Sequence, residues 1–112
     1  MSSSNPKLNE EIAELHAKFC SAISDPRRIM LLYAIQDEPR NVSSLARAVG
    51  ISQPAASRHL KILKQTGMVD PCRAGSSVIY RLTDPRLLEA LDLLREMLYE
   101  RLEHRAQLIS GE

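Results

Sequence analysis

One glycine does most to limit the folds open to this chain. Gly50 closes a short helical pattern containing Leu45, Ala46 and Val49, and Ser52-Gln53-Pro54 opens another pattern two residues later. Glycine can turn left-handed past a helix end without a Cβ penalty, and serine with an early proline is a helix start. Ala46, Gly50 and Ala56 are small enough to let the two helices cross closely. The spacing predicts a helix-turn-helix.

Its second helix has two different faces. Ala56, Leu60 and Leu63 recur at spacings of four and three and turn inward, which leaves Gln53, Ser57, Arg58, Lys61 and Lys64 outward or flanking. Gln53 has the geometry to pair with adenine, Arg58 to fork onto guanine, and Ser57 to bond a base edge or a phosphate. Lys61 and Lys64 suit backbone phosphate. The charge distribution supports this direction: residues 40–86 hold eight Lys/Arg (Arg40, Arg47, Arg58, Lys61, Lys64, Arg73, Arg81, Arg86) against Asp70 and Asp84, a net of +6 inside a chain of net +1. A basic block on the helix-turn-helix is the electrostatic footprint of a polyanion-binding face.

The flanking segments complete a mainly α protein with one hairpin. Leu8, Ile12, Leu15, Phe19 and Ile23 form a stripe that predicts a first helix over 8–23, after a loose serine-rich tail at 1–7. Asp25-Pro26 caps a second helix, which reaches about Gln36, and Asn41 or Ser43 caps the third. After Thr66-Gly67 the period changes. Val69 begins an extended run, Ala74-Gly75-Ser76-Ser77 has turn composition, and Val78, Tyr80 and Leu82 alternate with Ile79 and Arg81. This hairpin reads as a two-stranded wing beside the recognition helix, with Arg73 and Arg81 as its phosphate contacts. Asp84-Pro85 then launches a fifth helix to about Leu108. Its stripe of Leu87, Leu91, Leu94, Leu98 and Leu102, widened by Leu88, Leu93 and Met97, exceeds what one small domain can cover. The surplus calls for a partner.

Composition removes several function classes. A chain of 112 residues makes one domain, here 8–108, with a core large enough to need no staples. No apolar run approaches the roughly 18 residues of a membrane span, so no membrane role and a cytoplasmic address are expected. No catalytic triad, carboxylate pair or phosphate-binding glycine loop can be assembled, so the expectation is a protein without enzymatic activity or cofactor. The competing reading is a winged-helix module that binds another protein, but such a surface should carry exposed apolar anchors where this helix shows Gln53, Ser57, Arg58, Lys61 and Lys64.

The run Ser52-Gln53-Pro54 through Ser57-Arg58-His59-Leu60-Lys61 resembles the ArsR/SmtB family of bacterial transcriptional regulators. So do Ser24-Asp25-Pro26-Arg27-Arg28-Ile29, Gly67-Met68-Val69 and Val78-Ile79-Tyr80-Arg81-Leu82. The likeness spans about residues 12–108. It implies a homodimeric winged helix-turn-helix that sits on a palindromic operator in double-stranded DNA, represses transcription and leaves when an inducer binds. It places Ser52 and His59 in the DNA-binding set with the outward residues above. It also implies an interface made by the first and last helices, through Leu8, Ile12, Leu15, Phe19, Leu91, Leu94, Leu98 and Leu102.

The inducer is not legible. Family members that sense thiophilic metals use Cys-x-Cys at the start of the third helix, where this chain has Asn41 and Ser43; others use Asp-x-His at the start of the last helix, where it has Asp84 and Arg86. Arginine only donates and stays cationic, so it opposes a metal there. No metal site is expected. His16 and Cys20 share a helix face but are too few ligands for zinc. Cys20, expected as a buried small hydrophobe beside Phe19 and Ile23, and Cys72, beside Arg73, leave a thiol sensor as a lesser possibility.

Overall fold

A computed structural model of the chain describes residues 5–110, and the elements run in the order expected. The first helix, α1 (Pro6–Leu15), starts two residues earlier than its apolar stripe does. Asn5 is the reason: its side-chain oxygen accepts from the N–H groups of Lys7 and Leu8, and Pro6 occupies the first turn. The tail expected at 1–7 is therefore shortened, and residues 1–4 lie outside the described residues. α1 continues through a π-helical turn (His16–Cys20), which no sequence spacing announced.

α2 (Pro26–Asp37) begins on Asp25, whose carboxylate accepts from the Arg27 N–H at 2.8 Å, and it runs through the core with Leu31, Leu32 and Ile35. α3 (Val42–Val49) is capped by Asn41 rather than Ser43. It stops at Gly50, with φ 78°, where the N–H groups of Gly50 and Ile51 both bond the Ala46 carbonyl. That closure is the turn between α3 and α4 (Gln53–Gln65), which Ser52 caps. Ala56, Leu60 and Leu63 bury completely. Thr66 ends the helix by donating its hydroxyl to the Ile62 carbonyl at 2.8 Å.

The hairpin pairs β1 (Val69–Ala74) with β2 (Ser77–Leu82), antiparallel, in the register Val69 with Leu82, Tyr80 with Pro71 and Arg73 with Val78. Val69 is buried and Tyr80 and Leu82 are half-buried, as the alternation required. Val78 is not: toward the hairpin tip, it is exposed. The Tyr80 N–H bonds the Arg40 carbonyl at 2.9 Å, so the segment before α3 forms a third, single-residue bridge that fixes the wing against the body.

α5 (Arg86–Ser110) buries only Leu88 and Leu91 among its described residues, with the half-buried Leu87 packed beside them. Every residue from 93 to 110 is exposed, and so is every residue from 5 to 21. Leu91 thus belongs to the chain's own core and corrects its assignment to the interface stripe. Two helices project from a small core, which gives the chain a long dimension of 56 Å.

Candidate nucleic-acid interface

α4 presents Ser52, Gln53, Ser57, Arg58, Lys61 and Lys64 to solvent on the side opposite its buried leucines. The cations on this face are unneutralised. Arg58, Lys61, Lys64, Arg73 and Arg81 form no ion pair with any described residue, whereas Arg27, Arg40, Arg86 and Arg95 each hold a neighbouring carboxylate. Arg47 on α3, absent from the expected set, is also exposed and touches only the Ser43 hydroxyl, at 3.4 Å. Free charge is what a phosphate backbone draws on, because counterion release needs cations that are not already paired.

The two wing arginines do not share a face. Residues directly opposite in an antiparallel pair point the same way; Arg73 lies opposite Val78 and Arg81 opposite Asp70, so the pleat sends them to opposite sides. Arg73 extends the body-facing side toward the tip, and Arg81 lies on the outer side. Between wing and helix runs a shallow recess of about 260 Å³ lined by Asn41, Val42, Ser43, Gln53, Ser77 and Val78. It brings the starts of α3 and α4 together with the wing around a lining of mixed polar and apolar side chains.

His59 is not on that surface. It is 7% exposed, with Nδ1 3.2 Å from an Arg28 guanidinium nitrogen. Arginine can only donate, so Nδ1 accepts and the imidazole proton sits on Nε2. Burial pushes the imidazole below its ordinary range; Arg27, Arg28 and Arg58 push the same way, and Asp25 opposes. The signal was present in the sequence, since position 59 falls three after Ala56 and four before Leu63, on the inward stripe.

The apolar faces of the projecting helices are bare. Leu8, Ile12, Leu15 and Phe19 on α1 are 40–55% exposed, and Leu94, Leu98 and Leu102 on α5 are 48–58% exposed. Leu93, Met97 and Tyr99 extend the second face. Cys20, expected buried, is exposed because its whole helix stands off the core, and Cys72 is half-buried opposite Ile79 on the wing.

The positions considered for metals are otherwise engaged. Asn41 caps α3. Asp84 accepts from the Arg86 guanidinium at 2.7 Å and from the Arg86 N–H at 2.9 Å, and these bonds pull its carboxyl down to about 2. Among the described residues no three His, Cys, Asp or Glu side chains group closely enough to hold a metal ion, and no helix is long and apolar enough to cross a membrane.

Residues 25–70 match the arsR family of bacterial regulatory proteins. The HTH-type transcriptional regulator NmtR of Mycobacterium tuberculosis is 35% identical over 85 residues, which cover 76% of this chain and 71% of that one. The HTH-type transcriptional repressor SmtB of the same species is 38% identical over 77 residues, 69% of this chain and 57% of that one. Among solved structures, the homodimeric winged helix-turn-helix DNA-binding domain of a possible ArsR-family regulator from Mycobacterium bovis matches with a TM-score of 0.77. It is 26% identical and covers 93% of this chain and 95% of that one.

Proposed function

The chain belongs to the arsR family of bacterial regulatory proteins, and from that premise we propose that it is a homodimeric repressor released from a palindromic operator by an inducer. It is a winged helix-turn-helix transcriptional regulator and not an enzyme. The observation that carries the DNA-binding assignment is the unneutralised face of α4, where Gln53, Ser57 and Arg58 supply base-reading groups and Lys61 and Lys64 supply phosphate contacts. Arg73 and Arg81 add backbone contacts from the two sides of the wing, and Arg47 joins them from α3.

Dimerisation rests on the bare apolar faces of α1 and α5. Isolated exposed leucines are ordinary on a protein surface, but two contiguous stripes on projecting helices favour burial against a second copy. The unit acting this way is about residues 8–108, extended at its start to the Asn5 cap, and it would work in the cytoplasm. The trigger is a ligand that needs neither thiolates at positions 41 and 43 nor histidine at 86. An exposed Cys20 and a wing-borne Cys72 keep a thiol response as its secondary form.

A gel mobility shift on DNA upstream of the protein's own gene tests the reading. A specific complex that weakens steeply as salt rises is expected. Absence of any specific complex at low salt would remove it.

A further inference from the structure

Arg28, the third residue of α2, is 8% exposed and has no carboxylate partner among the described residues. A buried guanidinium is costly unless its donors are satisfied, and here they are used across three segments. Nε donates to the Ala22 carbonyl at 2.7 Å, one terminal nitrogen to the Ser21 carbonyl at 3.1 Å and the Ser24 hydroxyl at 3.0 Å, and the other to His59 Nδ1 at 3.2 Å. The end of the α1 segment, just past its π turn, is thereby tied through one side chain to the middle of α4. We propose that Arg28 is a positioning residue for operator binding, which it serves by fixing α4 against the α1 segment through an uncharged His59.

The proposal rests on the DNA-binding reading, since position matters only if the outer face of α4 is read by a ligand. His59 adjoins Arg58 and lies two residues before Lys61, so a rotation of α4 that frees the imidazole displaces both. Protonation would produce that change: it converts Nδ1 from acceptor to donor and sets a second positive charge against Arg28. The charged groups around the imidazole are Arg58 on its own helix and Asp25, Arg27 and Arg28 at the start of α2; the α1 segment contributes only neutral carbonyls and hydroxyls. Asp25 favours a charged His59, but its hydrogen bonds go to the Arg27 N–H and guanidinium and none goes to the imidazole. The sign of the effect is distinctive. A histidine on the DNA face binds phosphate more tightly when protonated, whereas this one should weaken binding when protonated.

The test is fluorescence anisotropy of a labelled duplex from upstream of the protein's own gene at fixed ionic strength, from about pH 8 to about pH 5, carried below the range of an ordinary histidine because burial holds His59 lower. Helical circular dichroism is recorded in parallel. Wild-type affinity should fall several-fold, with the fall steepening toward the acid end as His59 gains its proton and the helical signal unchanged. His59→Gln keeps an acceptor toward Arg28 but does not titrate, so its affinity, whatever its value at pH 8, should stay level on acidification. An equal acid response in His59→Gln, affinity that rises with acid, or a loss of binding that tracks a loss of helix would each overturn the proposal. Absence of binding at pH 8 in the wild type would instead remove the DNA-binding reading itself. Arg28→Gln should weaken binding at pH 8 as well, but the result from His59→Gln decides even if that variant fails to fold.

Discussion

The Tyr33 hydroxyl donates to Asp92 Oδ1 at 2.6 Å, joining α2 to α5 one residue beyond the last buried leucine of that helix. Arg95 closes the cluster: it lies 5.1 Å over the Tyr33 ring and 3.3 Å from the same carboxylate oxygen. Burial pushes the Tyr33 phenol up, and the bond to Asp92 adds to that while Arg95 opposes it. The phenol thus stays a donor at neutral pH. This polar tie sits where α5 leaves the core, beside the start of its bare apolar face.

Removing the tie should cost stability without removing the fold. Tyr33→Phe keeps the ring under Arg95 and leaves Asp92 within reach of water, so urea unfolding should register a loss of about 0.5–1.5 kcal/mol. Hydrogen exchange should rise beyond Asp92 and remain unchanged in α3 and α4.

Neighbouring leucines of one stripe should behave differently. Leu98 is 58% exposed in the single chain and Leu91 is 5% exposed. Leu98→Glu places charge on the apolar face and should give a folded monomer by sedimentation where the wild type is a dimer. Leu91→Ala opens the core and should cost about 2–5 kcal/mol, with the dimer retained in the population that stays folded.

The turn at Gly50 offers a test free of packing. A Cβ there would meet nothing within 4 Å, yet φ is +78°. Gly50→Ala should therefore lose about 1–2 kcal/mol through backbone conformation alone, read as a lower thermal midpoint with unchanged oligomeric state.

Acid should weaken the start of α5. The Asp84 carboxyl is held at about 2 in the folded chain, below its unfolded value, by the Arg86 guanidinium and N–H. Its contribution is fully present above the unfolded pKa of about 3.9 and is lost as pH falls toward 2. Asp84→Asn retains a capping side chain but cannot titrate. The thermal midpoint of the wild type should drop more than that of the variant across this window; parallel curves would refute the assignment.

How much of this was legible in the sequence depended on how local the cause was. Asp25-Pro26, Ser52 and Gly50 act within a turn of themselves, and α2, α3 and α4 start or stop where those residues dictate. Periodicity identified the apolar face of α5 but could not say what covers it: Leu91 and Leu94 share a stripe, yet only Leu91 lies over the body. Cys20 was misjudged for the same reason, since apolar neighbours imply burial only when the helix packs on its own chain. His59 shows the opposite failure. Its position on the inward stripe is readable, but the family likeness of Ser57-Arg58-His59-Leu60-Lys61 puts it in the DNA-binding set, and its partner Arg28 lies 31 residues away. The Arg27 and Arg28 pair hides that partner, because one arginine grips Asp25 two residues before it while the next turns inward.

If two copies of α4 read DNA together, a hydroxyl-radical footprint on the tightest duplex selected from a random-sequence pool will show it. Two equivalent protected tracts are expected, with centres about one helical turn, roughly 34 Å, apart on a palindromic sequence. A pool that yields no enriched sequence, or a footprint with a single tract, would contradict it.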